Sequence, residues 1–105
     1  MTKDQFLHEI EQFSEFVREI VETEDFSNLS IDKCFTRIEH KFERFDLDMT
    51  DVIHLLEGKW ICRRHPNPVG GVQYELHGTN IEGEATVIVA SKSENKLKIS
   101  NIWKV

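Results

Sequence analysis

The spacing of apolar side chains predicts a long amphipathic helix at the start of the chain. Thr2 followed by Gln5 fits a capping box and predicts that this helix begins near Lys3. Apolar residues then recur at the spacing of one helical face: Phe6, Leu7, Ile10, Phe13, Phe16, Val17, Ile20 and Val21. Glutamates occupy most of the opposite face, so residues 3–23 are predicted to form an acidic helix.

Two more helices are predicted before residue 58. Ser30 is a candidate N-cap for a second long helix. Its apolar stripe consists of Ile31, Cys34, Phe35, Ile38, Phe42 and Phe45. Asp48 fits the N-cap of a short third helix that Gly58 would end.

After Gly58 the apolar period changes from that of a helix to the two-residue period of a strand. Four strands are predicted, over residues 59–65, 72–77, 84–91 and 96–104. In the second strand the inward residues are Val72, Tyr74 and Leu76, and the outward residues are Gln73, Glu75 and His77. In the last strand Leu97, Ile99 and Trp103 alternate with Lys96, Lys98, Ser100 and Lys104.

These elements predict an α+β fold in which two long N-terminal helices and a short third helix pack on a four-stranded antiparallel meander. A chain of 105 residues suits one domain, with residues 1–57 as a helical cap and residues 58–105 as the sheet. No apolar run approaches the roughly 20 residues that span a membrane. The start of the chain does not resemble a secretory signal, and two cysteines indicate a reducing compartment, so we expect a cytoplasmic protein.

Charge is distributed unevenly along the chain. The formal net charge is −6. Residues 1–30 carry eight acidic and two basic side chains, whereas residues 58–105 carry seven basic and four acidic ones. The acidic helix 3–23 is therefore a candidate surface for a protein partner. The small basic excess of residues 58–105 is compatible with RNA binding by the sheet half.

Metal and cysteine chemistry find little support in the sequence. Cys62 and His65 have CxxH spacing, but a three-residue offset on a strand directs two side chains to opposite faces. Cys34 lies in the apolar stripe of the second helix, where a buried thiol is expected. We therefore predict no metal and no other cofactor.

The polar face of the predicted sheet is the best candidate for chemistry. Histidine exchanges protons near neutral pH, and neighbouring lysine or arginine can hold a phosphodiester. RNA cleavage without a metal needs a base for the 2′-hydroxyl, a cation for the phosphate and an acid for the leaving oxygen. An ordinary solvated sheet face carries the same residue types, so both interpretations stay open.

Three short segments resemble the RelE-like superfamily of small ribonuclease toxins, which includes barnase-like members. Within it the likeness is nearest to the family of motility quorum-sensing regulator toxins and to related short proteins. The segments are Phe45–Ile53, Val72–Leu76 and Ile102–Lys104, and the likeness covers roughly residues 31–105.

The resemblance assigns roles to individual residues. Gln73 stands at the position of a functional glutamine, Lys104 at that of a terminal-strand lysine, and Arg63 near a first-strand lysine. Thr86 replaces the functional tyrosine of the third strand, so His77 would have to supply proton transfer.

The sequence thus predicts a metal-independent endoribonuclease of toxin–antitoxin type. Its candidate catalytic residues are Gln73, His77 and Lys104, and its candidate RNA-binding residues are Arg63, Arg64 and Lys98. RNA would be its substrate and an antitoxin its protein partner. The alternative is a non-catalytic inhibitor or immunity-type protein that binds a basic partner through the helix 3–23. A third hypothesis is a remnant of the toxin fold that only dimerises.

Overall fold

The computed structural model describes residues 3–24, 26–31, 38–66 and 72–105, and side chains from residue 7 onward within these ranges. The described helices are α1 (Lys3–Thr23), α2 (Ile38–Phe45) and α3 (Met49–Glu57), and a short 3-10 helix covers Phe26–Asn28. The described strands are β1 (Leu29–Ile31), β2 (Ile61–Arg64), β3 (Tyr74–Thr79), β4 (Ala85–Ser93) and β5 (Lys96–Lys104). The predicted α+β class is confirmed. None of the described helices is both long enough and apolar enough to cross a membrane.

The sheet has one strand more than predicted. Its spatial order is β1-β5-β4-β3-β2, and the last four strands of the chain form the predicted antiparallel meander. β1 adds to the edge of β5 in the parallel direction, which makes the sheet five-stranded and mixed. The sequence does not predict β1, because three residues are too few to show a two-residue period. The strand forms through backbone hydrogen bonds to β5, which lies beside it only in the folded chain.

The prediction of a long second helix beginning after Ser30 is wrong. Ser30 lies in β1, where it pairs with Lys98 in place of capping a helix. The described second helix starts at Ile38 and has eight residues. The predicted stripe positions Cys34 and Phe35 lie outside the described residues.

The third helix begins and ends where the sequence predicts. The Asp48 carboxylate accepts hydrogen bonds from the amides of Thr50 and Asp51, and the Asp51 carboxylate accepts one from the Asp48 amide. These bonds satisfy amide groups that a helix start otherwise leaves unpaired. The hydroxyl of Thr50 also donates to the Asp48 carboxylate, and this bond, followed by the amide bonds, lowers the pKa of Asp48. At the other end the Gly58 amide donates to the carbonyl oxygens of His54 and Leu55.

A β-bulge in β5 changes which residues face the helices. Val89 pairs with Asn101 and Ala90 pairs with Ile99, so Ser100 is an extra residue. Beyond the bulge the alternation is inverted relative to the prediction. Ile102 is fully buried in the core and Lys104 shares its side of the sheet, while Trp103 points to the opposite side.

The helices and one side of the sheet enclose the core. Val17 of α1, Ile38 of α2 and Val52 of α3 belong to one buried cluster with the residues of the helix-covered face. We define this face by its core members Tyr74, Leu76, Ile88, Ala90, Leu97, Ile99 and Ile102. The ring of Tyr74 stacks on that of Phe13 with centroids 4.3 Å apart, which places this tyrosine in the core as predicted.

The described helices pack on that first side of the sheet, and we call the other side the open face. We define it by the residues of opposite parity: Ile61, Arg63, His65, Glu75, His77, Val87, Val89, Lys98, Asn101 and Trp103. Two rows of neighbours cross it from β2 to β5. One row is Ile61, His77, Val87 and Trp103, and the other is Arg63, Glu75, Val89 and Asn101.

Candidate active site on the open face of the sheet

One carboxylate bridges two histidines on the open face. Glu75 Oε2 lies 2.8 Å from Nδ1 of His65, and Glu75 Oε1 lies 2.8 Å from Nε2 of His77. A carboxylate accepts hydrogen bonds, so each of these ring nitrogens donates its proton to Glu75. The second nitrogen of each ring, Nε2 of His65 and Nδ1 of His77, is then the atom that would exchange a proton with a substrate.

Strand register places the three side chains together. Glu75 and His77 lie two residues apart on β3 and therefore share a face. His65 follows the last residue of β2, and its amide donates to the carbonyl oxygen of Gln73 at 2.9 Å. That hydrogen bond continues the β2–β3 ladder by one step and brings the imidazole of His65 beside Glu75.

Glu75 is held in its charged form. Its side chain is only 15% exposed, and burial acts to raise its pKa. The hydrogen bonds to His65 and His77, together with the charge of these two histidines, outweigh burial and lower the pKa of Glu75 below its usual value. An ionised Glu75 orients both imidazoles and stabilises either of them when it becomes protonated.

Arg63 lies next to this cluster on the open face, and Lys98 lies on the same face two strands away from β3. Arg63 is exposed and stands directly opposite Glu75 in the register of β2 and β3. Lys98 lies on β5, opposite Ser91 of β4. A phosphate bound at the histidines would have the guanidinium of Arg63 as its nearest neighbouring cation.

The six predicted site residues do not all lie on one face. His77, Arg63 and Lys98 belong to the open face, and Gln73 adjoins it through its hydrogen bond to His65. Arg64 and Lys104 lie on the helix-covered face. The expectation that all six form one surface is therefore not met, because adjacent strand residues alternate and the bulge at Ser100 inverts β5.

The two residues on the helix-covered face bind acidic partners. The guanidinium of Arg64 lies 3.0 Å from the Glu9 carboxylate and joins β2 to α1. The ammonium of Lys104 lies 3.0 Å from the Glu84 carboxylate, and that hydrogen bond raises the pKa of Lys104. Thr86 is 2% exposed and donates its hydroxyl to the carbonyl oxygen of Glu84.

Cys62 and His65 are on opposite faces, as their spacing predicts. Cys62 pairs with Leu76, a residue of the helix-covered face. Burial raises the pKa of the Cys62 thiol, although a hydrogen bond with Ser14 and the charge of Arg18 oppose that effect. Within the described ranges, no group of three or more His, Cys, Asp or Glu side chains is arranged to hold a metal ion.

His65 is the residue that sequence reasoning missed. The CxxH spacing points to His65 only as a zinc ligand paired with Cys62, and that pairing fails because the two side chains lie on opposite faces. A further signal in the sequence is the odd-position series Arg63, His65, Gln73, Glu75 and His77, which places polar residues at one parity on two consecutive strands. Only the register between β2 and β3 shows which of these residues meet.

Glu75→Gln tests how the charged carboxylate contributes to stability. The folded-state pKa of Glu75 is lowered, so its charge stabilises the folded protein above its ordinary pKa of 4.5 and ceases to do so as the pH falls through the lowered value. Glutamine keeps a similar shape without that titration. We therefore expect wild type to be more stable than the variant at pH 6 to 7, with a difference that shrinks as the pH falls below 4.5. Urea denaturation at several pH values measures this difference; a pH-independent difference would contradict it.

Comparison of the chain with family models, curated proteins and solved structures finds no match. The chemistry of this site is therefore argued from its own geometry.

Proposed function

We propose that this protein is a metal-independent endoribonuclease that cuts single-stranded RNA at the His65–Glu75–His77 cluster. The observation that carries the proposal is the pair of imidazoles held by one ionised carboxylate on a sheet face that no described helix covers. One imidazole in its neutral form and one in its protonated form would supply the base and the acid that phosphodiester cleavage requires.

The reaction follows from these two proton-transfer groups. A neutral imidazole removes the proton of the 2′-hydroxyl, whose oxygen attacks the adjacent phosphorus. The other imidazole, protonated, gives its proton to the departing 5′-oxygen, so the products are a 2′,3′-cyclic phosphate and a 5′-hydroxyl. Arg63 would stabilise the charge that accumulates on the phosphate oxygens. Which histidine serves as the base depends on the direction in which the RNA lies.

The sequence resemblance to RelE-like toxins is a separate argument for the same function. It assigns a role to Gln73, which is hydrogen-bonded through its backbone to His65. Lys104 does not reach the substrate in this proposal; it stabilises the end of β5 through Glu84. A cytoplasmic toxin of this kind would be held inactive by an antitoxin.

RNA cleavage in EDTA is the direct test. Purified protein at low ionic strength should cut a single-stranded RNA labelled at its 5′ end and leave cyclic phosphate termini, identified by mass spectrometry of the fragments. The control variant His8→Gln, at an exposed position of α1, should cut this RNA as well as wild type does. The His77→Gln variant should cut it much more slowly. RNA that stays intact at high protein concentration would refute the proposal.

The outer surface of α1 favours a second function. Glu11, Glu15, Glu19 and Glu22 are all exposed along this helix, and such a surface complements a basic protein. An inhibitor or immunity-type protein would be tolerated on expression and would co-purify with its target through α1. A toxin would arrest growth, and His77→Gln would relieve the arrest.

A further inference from the structure

Trp103 is an aromatic side chain that the proposed reaction does not use. It lies near the end of β5 on the open face and is partly exposed. The bulge at Ser100 accounts for this position, because regular alternation through Ser100 would direct position 103 toward the helices.

Register puts Trp103 in the same transverse row as His77. Val87 of β4 stands between them, pairing with His77 on one side and with Trp103 on the other. Two inter-strand steps separate the two side chains, about 10 Å at the usual strand spacing. A nucleotide whose phosphate lies at the histidines can cover that span with its ribose and a base turned away from the backbone.

The two valines that lie within the two rows of side chains are buried. Val87 and Val89 are each only 1% exposed, so neighbouring groups cover them and they offer no surface to a ligand. The accessible groups on this face include the partly exposed Trp103 and the exposed Arg63. An aromatic ring with a cation on the same face is the arrangement that binds an unpaired base and the backbone that carries it.

The second tryptophan, Trp60, has a different environment from Trp103. Trp60 donates its indole N–H to the carbonyl oxygen of Leu56 at 3.0 Å, and the guanidinium of Arg18 lies 5.3 Å from its ring centroid. Trp60 packs against the helix-covered core. Its role is therefore structural, and it serves as an internal control for Trp103.

We propose that Trp103 is the stacking platform for a base of the single-stranded RNA, and that this base belongs to a nucleotide next to the scissile phosphate. The inference rests on the proposed ribonuclease function and names its substrate subsite. Every base has a π-face, so the platform selects unpaired bases and tolerates different sequences. Bases in a duplex are stacked on each other and cannot reach it.

Tryptophan fluorescence tests the platform without altering it. The chain has two tryptophans, so Trp60→Phe leaves Trp103 as the sole emitter. The probe is a single-stranded deoxyribonucleotide hexamer, which lacks the 2′-hydroxyl and is not cleaved. We expect saturable quenching of Trp103 by this hexamer and none by the same sequence as a duplex. Equal quenching by both strand forms, or no quenching by either, would overturn the inference.

Two substitutions at position 103 separate stacking from packing. Trp103→Phe keeps an aromatic face, whereas Trp103→Leu keeps apolar volume without one. We expect the leucine variant to bind the hexamer about tenfold more weakly than the phenylalanine variant, with circular dichroism melts showing that both are folded. In RNA cleavage, the loss of the aromatic face in Trp103→Leu should appear mainly as a higher KM. Equal binding by the two folded variants would refute the stacking role.

The outcomes also separate this inference from the function on which it rests. If wild type cleaves RNA while Trp103→Leu matches Trp103→Phe in KM and in hexamer binding, the platform fails and the ribonuclease stands. If the hexamer quenches Trp103 but wild type cleaves no RNA, the platform stands as a nucleic-acid site and the cleavage proposal fails.

Discussion

Replacing His77 with glutamine should lower the rate of RNA cleavage by about 100-fold or more, the usual contribution of a positioned acid or base. Glutamine can still donate a hydrogen bond to Oε1 of Glu75, which His77 contacts at 2.8 Å, but it cannot carry a proton between pH 5 and 8. His65→Gln should have an effect of the same order, because His65 contacts the other oxygen of the same carboxylate.

His65 and His77 should contribute to the cleavage rate as one unit. Because both histidines act in the same step, the double variant should be little slower than the slower single variant. The pH dependence of wild-type kcat/KM should be bell-shaped, and each single variant should lose one limb of that bell. Single-turnover cleavage of a defined RNA at several pH values measures both effects. A His77→Gln protein with more than about a tenth of wild-type activity would contradict the assigned role.

Replacing Ile102 with alanine should destabilise the protein by about 3 kcal/mol. Ile102 is fully buried, and the substitution leaves a cavity among the core residues. The bulge puts Ile102 in this place, because Ser100 is the extra residue and Ile99 and Ile102 therefore both face the helices. A loss of that size is a large part of the stability of an ordinary domain.

Ser100→Ala is the matched control. It keeps the bulge and removes only the hydroxyl that donates to the carbonyl oxygen of Val89, so it should cost about 1 kcal/mol. Urea denaturation followed by far-ultraviolet circular dichroism compares both variants with wild type. An Ile102→Ala variant as stable as Ser100→Ala would contradict the place of Ile102 in the core.

The sequence predicts the face of single residues better than it predicts which residues meet. The outward parity of Glu75 and His77 follows from the two-residue period of β3 and needs no other element. The partnership with His65 depends on the register between β2 and β3, which the period of either strand leaves open. Regular alternation through β5 predicts Lys104 on the same face as His77, because a bulge leaves no mark in a period-two pattern.

The sequence by itself determined the α+β class, the limits of α3 and the order of the four meander strands. These depend on local periodicity and on capping residues such as Asp48 and Gly58, which act within a few positions of themselves. Only the tertiary structure decided that Leu29–Ile31 is a strand, that Ser100 is a bulge, and that His65 joins Glu75. Each of these depends on hydrogen bonds between segments far apart in the chain, whose geometry exists only once the sheet has formed.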